Sequence, residues 1–308
     1  MNGVHDPVML EEGVNALAVR ADGVYVDGTF GRGGHTGRLL QLLGPQGRVI
    51  AFDRDHSAIA VGRLLKDPRL TMCHAPFSEM AVVVAGLGVA AVDGILLDLG
   101  VSSPQLDQAE RGFSFRLDGP LDMRMDQSQS LTAERWINEA AEAELADVIR
   151  TLGEERFARQ VARAIVVQRQ QAPIQTTRQL AQLVAQAVRT REVGQDPATR
   201  TFQAIRLFIN GELTELAQVL PMAVQLLKPG GRLAVISFHS LEDRLVKRFF
   251  QTQSRAPDVP RGMAIREADR PAPLLVMMGK GQRPSVQEVS RNPRSRSAML
   301  RVAMRTAA

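Results

Sequence analysis

The feature that most constrains this chain's fold is a regular alternation of short apolar strands and helical segments in its N-terminal part. The run Val24 to Asp27 predicts a strand, the glycine-rich stretch 28–34 predicts a loop, and leucines at helical spacing predict the helix that follows. Further strands are predicted at 48–53, 69–73 and 92–98. Alternation of this kind predicts a parallel sheet with right-handed crossovers.

The alternation stops after residue 106, where the chain becomes rich in Ala, Glu, Gln and Arg. Apolar residues between 158 and 188 repeat at helical spacing, and Thr176 and Gln179 have the spacing of a capping box at a helix start. The segment 107–199 is therefore predicted to be an inserted, all-helical domain. We expect it to have a role in substrate recognition.

Strand signals return after the insertion, at 232–238 and then at 274–278 and 298–304 as a candidate closing hairpin. The two halves of the sheet must therefore meet in space across the insertion. We predict an α/β fold in which residues 1–106 and 200–308 form one discontinuous, Rossmann-like domain.

Composition excludes several classes of protein. A hydrophobic content of 44% excludes a disordered chain, and one cysteine, Cys73, excludes a disulfide scaffold. The N-terminus lacks the pattern of a signal peptide, and the apolar run Met80 to Val92 is too short to span a bilayer. We expect a cytosolic protein without a membrane anchor.

Charge is distributed unevenly along the chain. Residues 244–308 contain 14 basic and 4 acidic residues, which leaves 24 basic and 29 acidic in the first 243. The C-terminal segment is thus +10 and the remainder −5. A basic segment on a weakly acidic body fits a polyanionic partner, and it also fits an ordinary solvated surface.

The glycine-rich loop points to a nucleoside cofactor. Glycines in this loop, such as Gly31 and Gly33, allow the backbone to approach a ligand closely. Asp53 ends the second strand 20 residues past Gly33, where a carboxylate can accept both hydroxyls of an adenosine ribose. Loop and carboxylate together predict a nucleoside site at the carboxyl edge of the sheet.

Two further aspartates favour S-adenosylmethionine over a dinucleotide. Asp27 and Asp98 end the first and fourth strands, where they would repel a pyrophosphate and attract a sulfonium and an ammonium group. Either aspartate could instead cap a turn at the end of its strand. The five histidines are scattered and Cys73 is alone, so we expect no catalytic metal.

Nine stretches of the sequence resemble one known family over nearly the whole chain. They begin at Asp27, Asp53, Leu96, Glu110, Gly119, Gly153, Thr199, Ser237 and Asn292, and include DGTFGRGGH, LLDLGVSSPQL, ERGFSF, GPLDMRM, SFHSLEDR and NPRSR. They resemble the bacterial ribosomal RNA small subunit methyltransferase H family. The resemblance implies a class I methyltransferase fold and S-adenosylmethionine-dependent methylation of the exocyclic N4 amino group of a cytidine in the decoding region of 16S rRNA.

The same resemblance implies a set of cofactor contacts on this chain. They are Gly33, Gly34, His35, Asp53, Phe77, Asp98 and Gln105. Gly33 and Gly34 would hold the methionine part of the cofactor, and Phe77 would flank the adenine. From the residues alone, Phe77 could be a core residue and His35 a helix cap or a surface residue.

The stretch after Asp98 is the candidate catalytic segment. Ser102, Ser103 and Pro104 stand where amino-group methyltransferases carry a short polar, Pro-Pro, aromatic motif, but Ser103 replaces one proline and Gln105 the aromatic residue. Hydrogen-bond acceptors here, with Asp98, would localise the lone pair of the cytosine amine. An ordinary Ser-Pro turn is the structural alternative.

Candidate substrate contacts come from other segments. Phe113 or Phe115 could stack on the base in place of the missing aromatic, and His239 follows the fifth strand, where it could contact substrate or cap a helix. Arg294 and Arg296, together with Arg291 and insertion arginines 156, 159 and 163, are candidate phosphate contacts on rRNA within the small ribosomal subunit.

Two functions remain as alternatives to rRNA methylation. The protein could methylate a small molecule or a protein, in which case the C-terminal arginines would be dispensable. It could also be a non-catalytic RNA-binding factor in ribosome assembly that retains a nucleoside pocket. A dehydrogenase is disfavoured because of Asp27.

Overall fold

The computed structural model describes residues 7–188, 196–256 and 272–307. Part of the basic C-terminal segment, 257–271, lies outside the described residues. Contacts divide the chain into two compact units. The sheet unit comprises Met1–Gly100 and Thr214–Ala308, and the helical unit comprises Val101–Leu213.

In the described residues, one seven-stranded sheet forms the centre of the sheet unit. Its strands are β1 Val24–Asp27, β2 Arg48–Asp53, β3 Leu70–His74, β4 Val92–Asp98, β5 Leu227–Ser237, β6 Leu275–Met277 and β7 Met299–Arg305. The helices of both units are α1 Leu10–Ala16, α2 Gly34–Leu42, α3 His56–Leu64, α4 Met80–Gly86, α5 Ser103–Asp107, α6 Ala133–Glu139, α7 Glu142–Gly153, α8 Ala158–Gln171, α9 Thr177–Ala187, α10 Ala198–Asn210, α11 Glu212–Leu226, α12 Ser240–Gln253 and α13 Val286–Arg291.

The strand order is β3-β2-β1-β4-β5-β7-β6, and β1 to β5 are parallel. β7 runs antiparallel to both of its neighbours, β5 and β6. The order reverses between β1 and β4, because β1 pairs with β2 on one side and with β4 on the other. Open α/β sheets bind ligands at such a switch point, at the carboxyl ends of the strands.

The central strands are buried on both faces, which explains why they read as continuous apolar runs. In β4, Ile95, Leu96 and Leu97 are all fully buried. Leu96 packs into the core on one face of the sheet, while Ile95 and Leu97 pack into the core on the other. The helices of this unit therefore cover both faces of the sheet.

The predicted bounds of β1, β2 and β4 match the structure, and β3 is displaced by one residue. β5 begins five residues earlier than predicted, because Leu227 already pairs with Val92 of β4. The next pair is Gly94↔Arg232, so the register shifts between the two pairs. The last two predicted strands pair antiparallel, but α13 lies between them, so they do not form a tight hairpin.

The helical unit contains the whole predicted insertion and extends past it at both ends. Its core includes the predicted apolar faces, with Val161 and Ile165 of α8 and Leu180 and Val184 of α9 all fully buried. The predicted capping box is confirmed: at the start of α9, Gln179 N–H donates to the side chain of Thr176, the N-cap, and Thr176 N–H donates to the Gln179 side chain.

A long segment without regular helix, from 112 to 131, is held to this core by buried polar side chains. Asn210, at the end of α10, accepts from Met125 N–H at 2.8 Å and donates to the Met123 carbonyl at 2.8 Å. Arg111 donates to the carbonyls of Arg124 and Met125. These bonds satisfy backbone groups that a strand or helix would otherwise pair.

Within the described ranges, no helix is both long enough and apolar enough to cross a membrane.

Candidate active site

Asp27 organises the glycine-rich turn after β1. Its carboxylate is buried and accepts hydrogen bonds from Thr29 N–H at 3.1 Å and from the Thr36 hydroxyl at 2.7 Å. Burial raises the pKa of Asp27, and the hydrogen bonds from Thr36 and Thr29 oppose that rise. Each carboxylate oxygen thus has a protein donor, as expected of a residue that caps a turn.

The backbone of this turn depends on glycine at two positions. Gly33 is the N-cap of α2 and has φ of 77°, which side-chain-bearing residues rarely adopt. A Cβ on Gly28 would stand 2.4 Å from Leu97 Cδ2. The glycines therefore let the turn lie directly on the sheet and deliver the N-terminus of α2 to the carboxyl edge.

Asp53, at the end of β2, joins this turn to the next one. Its Oδ2 accepts from Gly31 N–H at 2.8 Å and its Oδ1 from Asp55 N–H at 2.8 Å. Burial raises the pKa of Asp53 to about 6, against the opposing effect of those two hydrogen bonds. Each oxygen retains a lone pair, so the carboxylate can accept the hydroxyls of a ribose.

Phe77 opens a short 3-10 helix, Phe77–Glu79, just after β3. The ring is half-buried and packs against the core under β4. A Cβ on Gly28 would lie 3.4 Å from Phe77 Cβ, which sets Phe77 beside the glycine turn. Phe77 is thus partly a core residue, and its role beside the adenine remains a prediction.

Asp98 ends β4 on the other side of the switch point from Asp53. Its N–H donates to the Thr29 hydroxyl at 2.7 Å, which fixes it to the glycine turn. Oδ2 lies 3.7 Å from Nδ1 of the buried His35, while Oδ1 is buried and accepts no hydrogen bond from any residue in the described ranges. Burial raises the pKa of Asp98 well above its usual range, and the charges of Asp27, Glu242 and Glu288 raise it further.

An unmatched carboxylate oxygen of this kind fits a ligand ammonium group. A buried acceptor without a donor costs free energy, and a cation or N–H donor at that point removes the cost. The amino-acid end of S-adenosylmethionine carries an ammonium group. Its adenosine end carries ribose hydroxyls, from which Asp53 can accept hydrogen bonds. The donor and acceptor set at this edge therefore fits the cofactor.

Sequence reasoning missed Glu242 and Glu288. Glu242, 2% exposed, accepts from Phe238 N–H at 2.8 Å, and its Oε1 lies 3.0 Å from Nε2 of His239. Glu288 accepts from Met9 N–H at 2.7 Å. The spacing of His239 and Glu242 is that of a capping box, which was the available signal for Glu242. Glu288 comes from the other end of the chain and no local pattern marks it.

His239 has the helix-capping contact that was its structural alternative. It is the N-cap of α12, and its Nδ1 accepts from Glu242 N–H at 3.4 Å. Arg294 and Arg296 are exposed on a short 3-10 helix, Pro293–Ser297, whose start is capped by Asn292. The substrate roles of all three remain predictions.

The other candidate residues lie in the helical unit. Ser102 is the N-cap of α5, and its N–H donates to Oε1 of the buried Gln105 at 2.9 Å. Ser103 and Pro104 form the first turn of that helix. The segment thus has the form of a capped helix start, and its catalytic role remains a prediction.

The two candidate stacking residues differ in exposure. Phe113 is only 6% exposed and belongs to the core of the helical unit. Phe115 is half-buried and packs edge-on against Phe202, with ring centroids 5.6 Å apart. The Arg116 guanidinium lies over the Phe115 ring at 5.9 Å. Of the pair, Phe115 is the one with ring surface for a base.

The strand order, the antiparallel β7, the glycine turn and the carboxylates at the ends of β1, β2 and β4 together define a class I S-adenosylmethionine-dependent methyltransferase. The sequence model of the MraW methylase family matches residues 2–306. The chain belongs to that family.

Individual relatives agree with the family match. The chain is 60% identical over 301 residues to ribosomal RNA small subunit methyltransferase H of Azoarcus sp. (strain BH72), covering 98% of this chain and 96% of that protein. It is 58% identical over 305 residues to the protein of the same name from Neisseria meningitidis serogroup A, covering 98% and 93%.

Matches to solved structures have low sequence identity. An rRNA methylase from Streptococcus thermophilus has a TM-score of 0.43 at 11% identity, covering 98% of each chain. A SAM-dependent O-methyltransferase from Thermotoga maritima has a TM-score of 0.42 at 12% identity, covering 100% of this chain and 70% of that one.

Proposed function

We propose that this protein transfers a methyl group from S-adenosylmethionine to the exocyclic N4 amino group of a cytidine in the decoding region of 16S rRNA. The observation that carries the cofactor assignment is the buried Oδ1 of Asp98, which has no donor among the described residues. The substrate assignment is supported by relatives at 58–60% identity that are named as small subunit rRNA methyltransferases.

The cofactor, when bound, supplies a methyl group made electrophilic by a cationic sulfonium. Asp53 accepts the ribose hydroxyls, and Asp98 accepts the ammonium group. The backbone at Gly33 and Gly34 holds the methionine part, and Phe77 flanks the adenine. His35, buried beside Asp98, and Gln105 complete the set of proposed contacts.

The acceptor nitrogen is a weak nucleophile because its lone pair is delocalised into the cytosine ring. Catalysis therefore depends on positioning the amine in line with the methyl group and on acceptors for its N–H bonds. We assign the acceptor role to the hydroxyls of Ser102 and Ser103. Both serines lie at the capped start of α5. As the N–C bond forms, the bond between sulfur and the methyl group breaks and S-adenosylhomocysteine leaves. The methylated amine then loses one proton to solvent, and a negative charge on Asp98 stabilises the positive charge present before that loss.

The remaining proposals concern the RNA. The helical unit recognises the substrate, with Phe115 as the base-stacking residue, or Phe113 after local movement, and His239 contributes from the sheet unit. Exposed arginines, including Arg294 and Arg296, bind phosphates of the rRNA within the small ribosomal subunit, in the cytoplasm. A base in structured RNA must leave its stack to reach such a site, and stacking offsets that cost.

The test measures transfer of a labelled methyl group to small subunits, naked 16S rRNA, large subunits and total protein, each from cells that lack this enzyme. We expect label in small subunit rRNA and a large loss of transfer with Arg294→Ala/Arg296→Ala. Label in the protein fraction, unaffected by the arginine substitutions, would support methylation of a protein. RNA binding without consumption of S-adenosylmethionine would support an assembly factor.

A further inference from the structure

A single carboxylate from a distant helix joins the two segments that are assigned to the nucleoside of the cofactor. Glu215 lies near the start of α11, and its Oε2 is 2.9 Å from Nη2 of Arg54. Its Oε1 accepts a hydrogen bond from the Ser78 hydroxyl at 3.1 Å. All three residues belong to the sheet unit.

The partners of Glu215 are the immediate neighbours of the proposed cofactor contacts. Arg54 directly follows Asp53, the ribose carboxylate, and Ser78 directly follows Phe77, the adenine-flanking ring. The two segments come from the ends of different strands, β2 and β3. One side chain therefore links these two segments, in addition to the pairing of β2 with β3.

The pair is shielded enough from water for its loss to matter. The side chains of Arg54 and Glu215 are 17% and 11% exposed. A charged hydrogen bond at such a place is stronger than an exposed pair, and removing one partner leaves the other charge poorly solvated. The Arg54 carbonyl is held as well, since it lies 3.1 Å from Nε2 of His74.

We infer that Glu215 is a positioning residue for the nucleoside end of the cofactor site, acting through Arg54 and Ser78 without contacting the reacting atoms. This inference depends on the proposed assignment of Asp53 and Phe77. Because Glu215 acts on the adenosine end, its loss weakens cofactor binding and leaves the rate at saturating cofactor unchanged.

The test compares Glu215→Gln, Arg54→Gln and the double variant by calorimetric titration of the full chain with S-adenosylhomocysteine and with 5′-methylthioadenosine, which lacks the amino-acid end. Each single variant is expected to bind both ligands about tenfold more weakly. The double variant should be no weaker than the weaker single variant, because the two residues act as one unit. The kcat with small subunits should stay within about twofold of wild type while KM for S-adenosylmethionine rises.

Asp67→Asn is the matched control, because Asp67 pairs with Arg69 at 2.6 Å at the opposite, amino end of β3. It should leave both affinities unchanged. A merely structural role for Glu215 would lower the melting temperature and kcat without a selective rise in KM, and would overturn the inference. So would unchanged affinity in Glu215→Gln.

Asp53→Ala and Phe77→Ala separate this inference from the proposed function. If these two variants lose affinity while Glu215→Gln does not, only the role of Glu215 is wrong. If Asp53→Ala and Phe77→Ala bind the cofactor normally, the assignment of Asp53 and Phe77 to the nucleoside is wrong. The positioning role of Glu215 is then wrong as well.

Discussion

Nδ1 of His35 lies 3.7 Å from Oδ2 of Asp98. The buried imidazole therefore faces the carboxylate at a distance too long for a hydrogen bond between these two atoms. The other oxygen of Asp98 has no donor within the described ranges, and the charges of Asp27, Glu242 and Glu288 oppose its ionisation. The surroundings of the ligand-free site thus disfavour the ionised form of Asp98. A cationic ligand stabilises the ionised carboxylate. In the ligand-free protein the same carboxylate lowers the stability of the fold.

Asp98→Asn should therefore stabilise the ligand-free protein while abolishing cofactor binding. The raised pKa of Asp98 means that its ionised form costs free energy in the fold, a cost present at high pH and lost as the pH falls and the carboxyl is protonated. We expect a gain in the free energy of unfolding at pH 8 that is smaller at pH 5 and is lost near the pKa of an exposed aspartate, about 4. Denaturant titration at both pH values measures this gain.

The matched control is Asp93→Asn at the other end of β4. Burial raises the pKa of Asp93, but hydrogen bonds from Lys228 at 2.8 Å and Val24 N–H at 2.9 Å outweigh it and leave the pKa lowered. This variant should lose stability and keep its affinity for S-adenosylmethionine. Normal cofactor binding by Asp98→Asn would contradict the role given to Asp98.

Cofactor affinity should depend on pH through Asp53. Its pKa in the free protein is about 6, and only the ionised carboxylate accepts both ribose hydroxyls. Affinity should rise with pH through this value, whereas Asp53→Asn should bind weakly and lack this part of the rise. Fluorescence or calorimetric titration of S-adenosylhomocysteine across this range measures both profiles, and identical profiles would exclude a role for Asp53 ionisation.

Arg294 and Arg296 should contribute to the salt dependence of rRNA binding. Both are exposed, and each phosphate contact releases counterions. Arg294→Ala/Arg296→Ala should lower the slope of log K against log salt by about 1.5 and weaken binding to unrelated RNA as well. Arg20→Ala, an exposed arginine near the amino ends of the strands, serves as control. An unchanged slope in the double variant would place the phosphate contacts elsewhere.

Asn210 should be important for the stability of the helical unit. Its side chain satisfies Met125 N–H and the Met123 and Arg206 carbonyls, two of these bonds being buried. Asn210→Ala leaves those groups unpaired, so we expect a loss of about 2–3 kcal/mol in the free energy of unfolding. Asn138→Ala, which removes partly buried bonds to Glu134 and Ile174, provides a scale for comparison. A smaller loss for Asn210→Ala than for Asn138→Ala would contradict this ranking.

The sequence predicted what depends on local pattern. Asp27, Asp53 and Asp98 lie at the ends of their strands as predicted, because apolar runs and the following turns mark those ends. The Thr176 capping box was also visible locally.

What the sequence could not predict depends on packing between distant segments. Glu215 and Glu288 reach the cofactor edge from helices far along the chain, and nothing near them in sequence marks that position. The burial of Phe113 depends likewise on helices that pack around it. The N-terminal helix α1 was not predicted.

The most direct test of the central claim is nucleoside mass analysis of the methylated product. Small subunits from cells lacking the enzyme are incubated with the protein and S-adenosylmethionine, and the rRNA is digested and separated against standards for N4-, C5- and N3-methylcytidine, with Asp98→Asn in parallel. We expect new N4-methylcytidine at one site and none with Asp98→Asn. Methylation at C5 or N3, or no methylated cytidine despite measured S-adenosylmethionine binding, would contradict it.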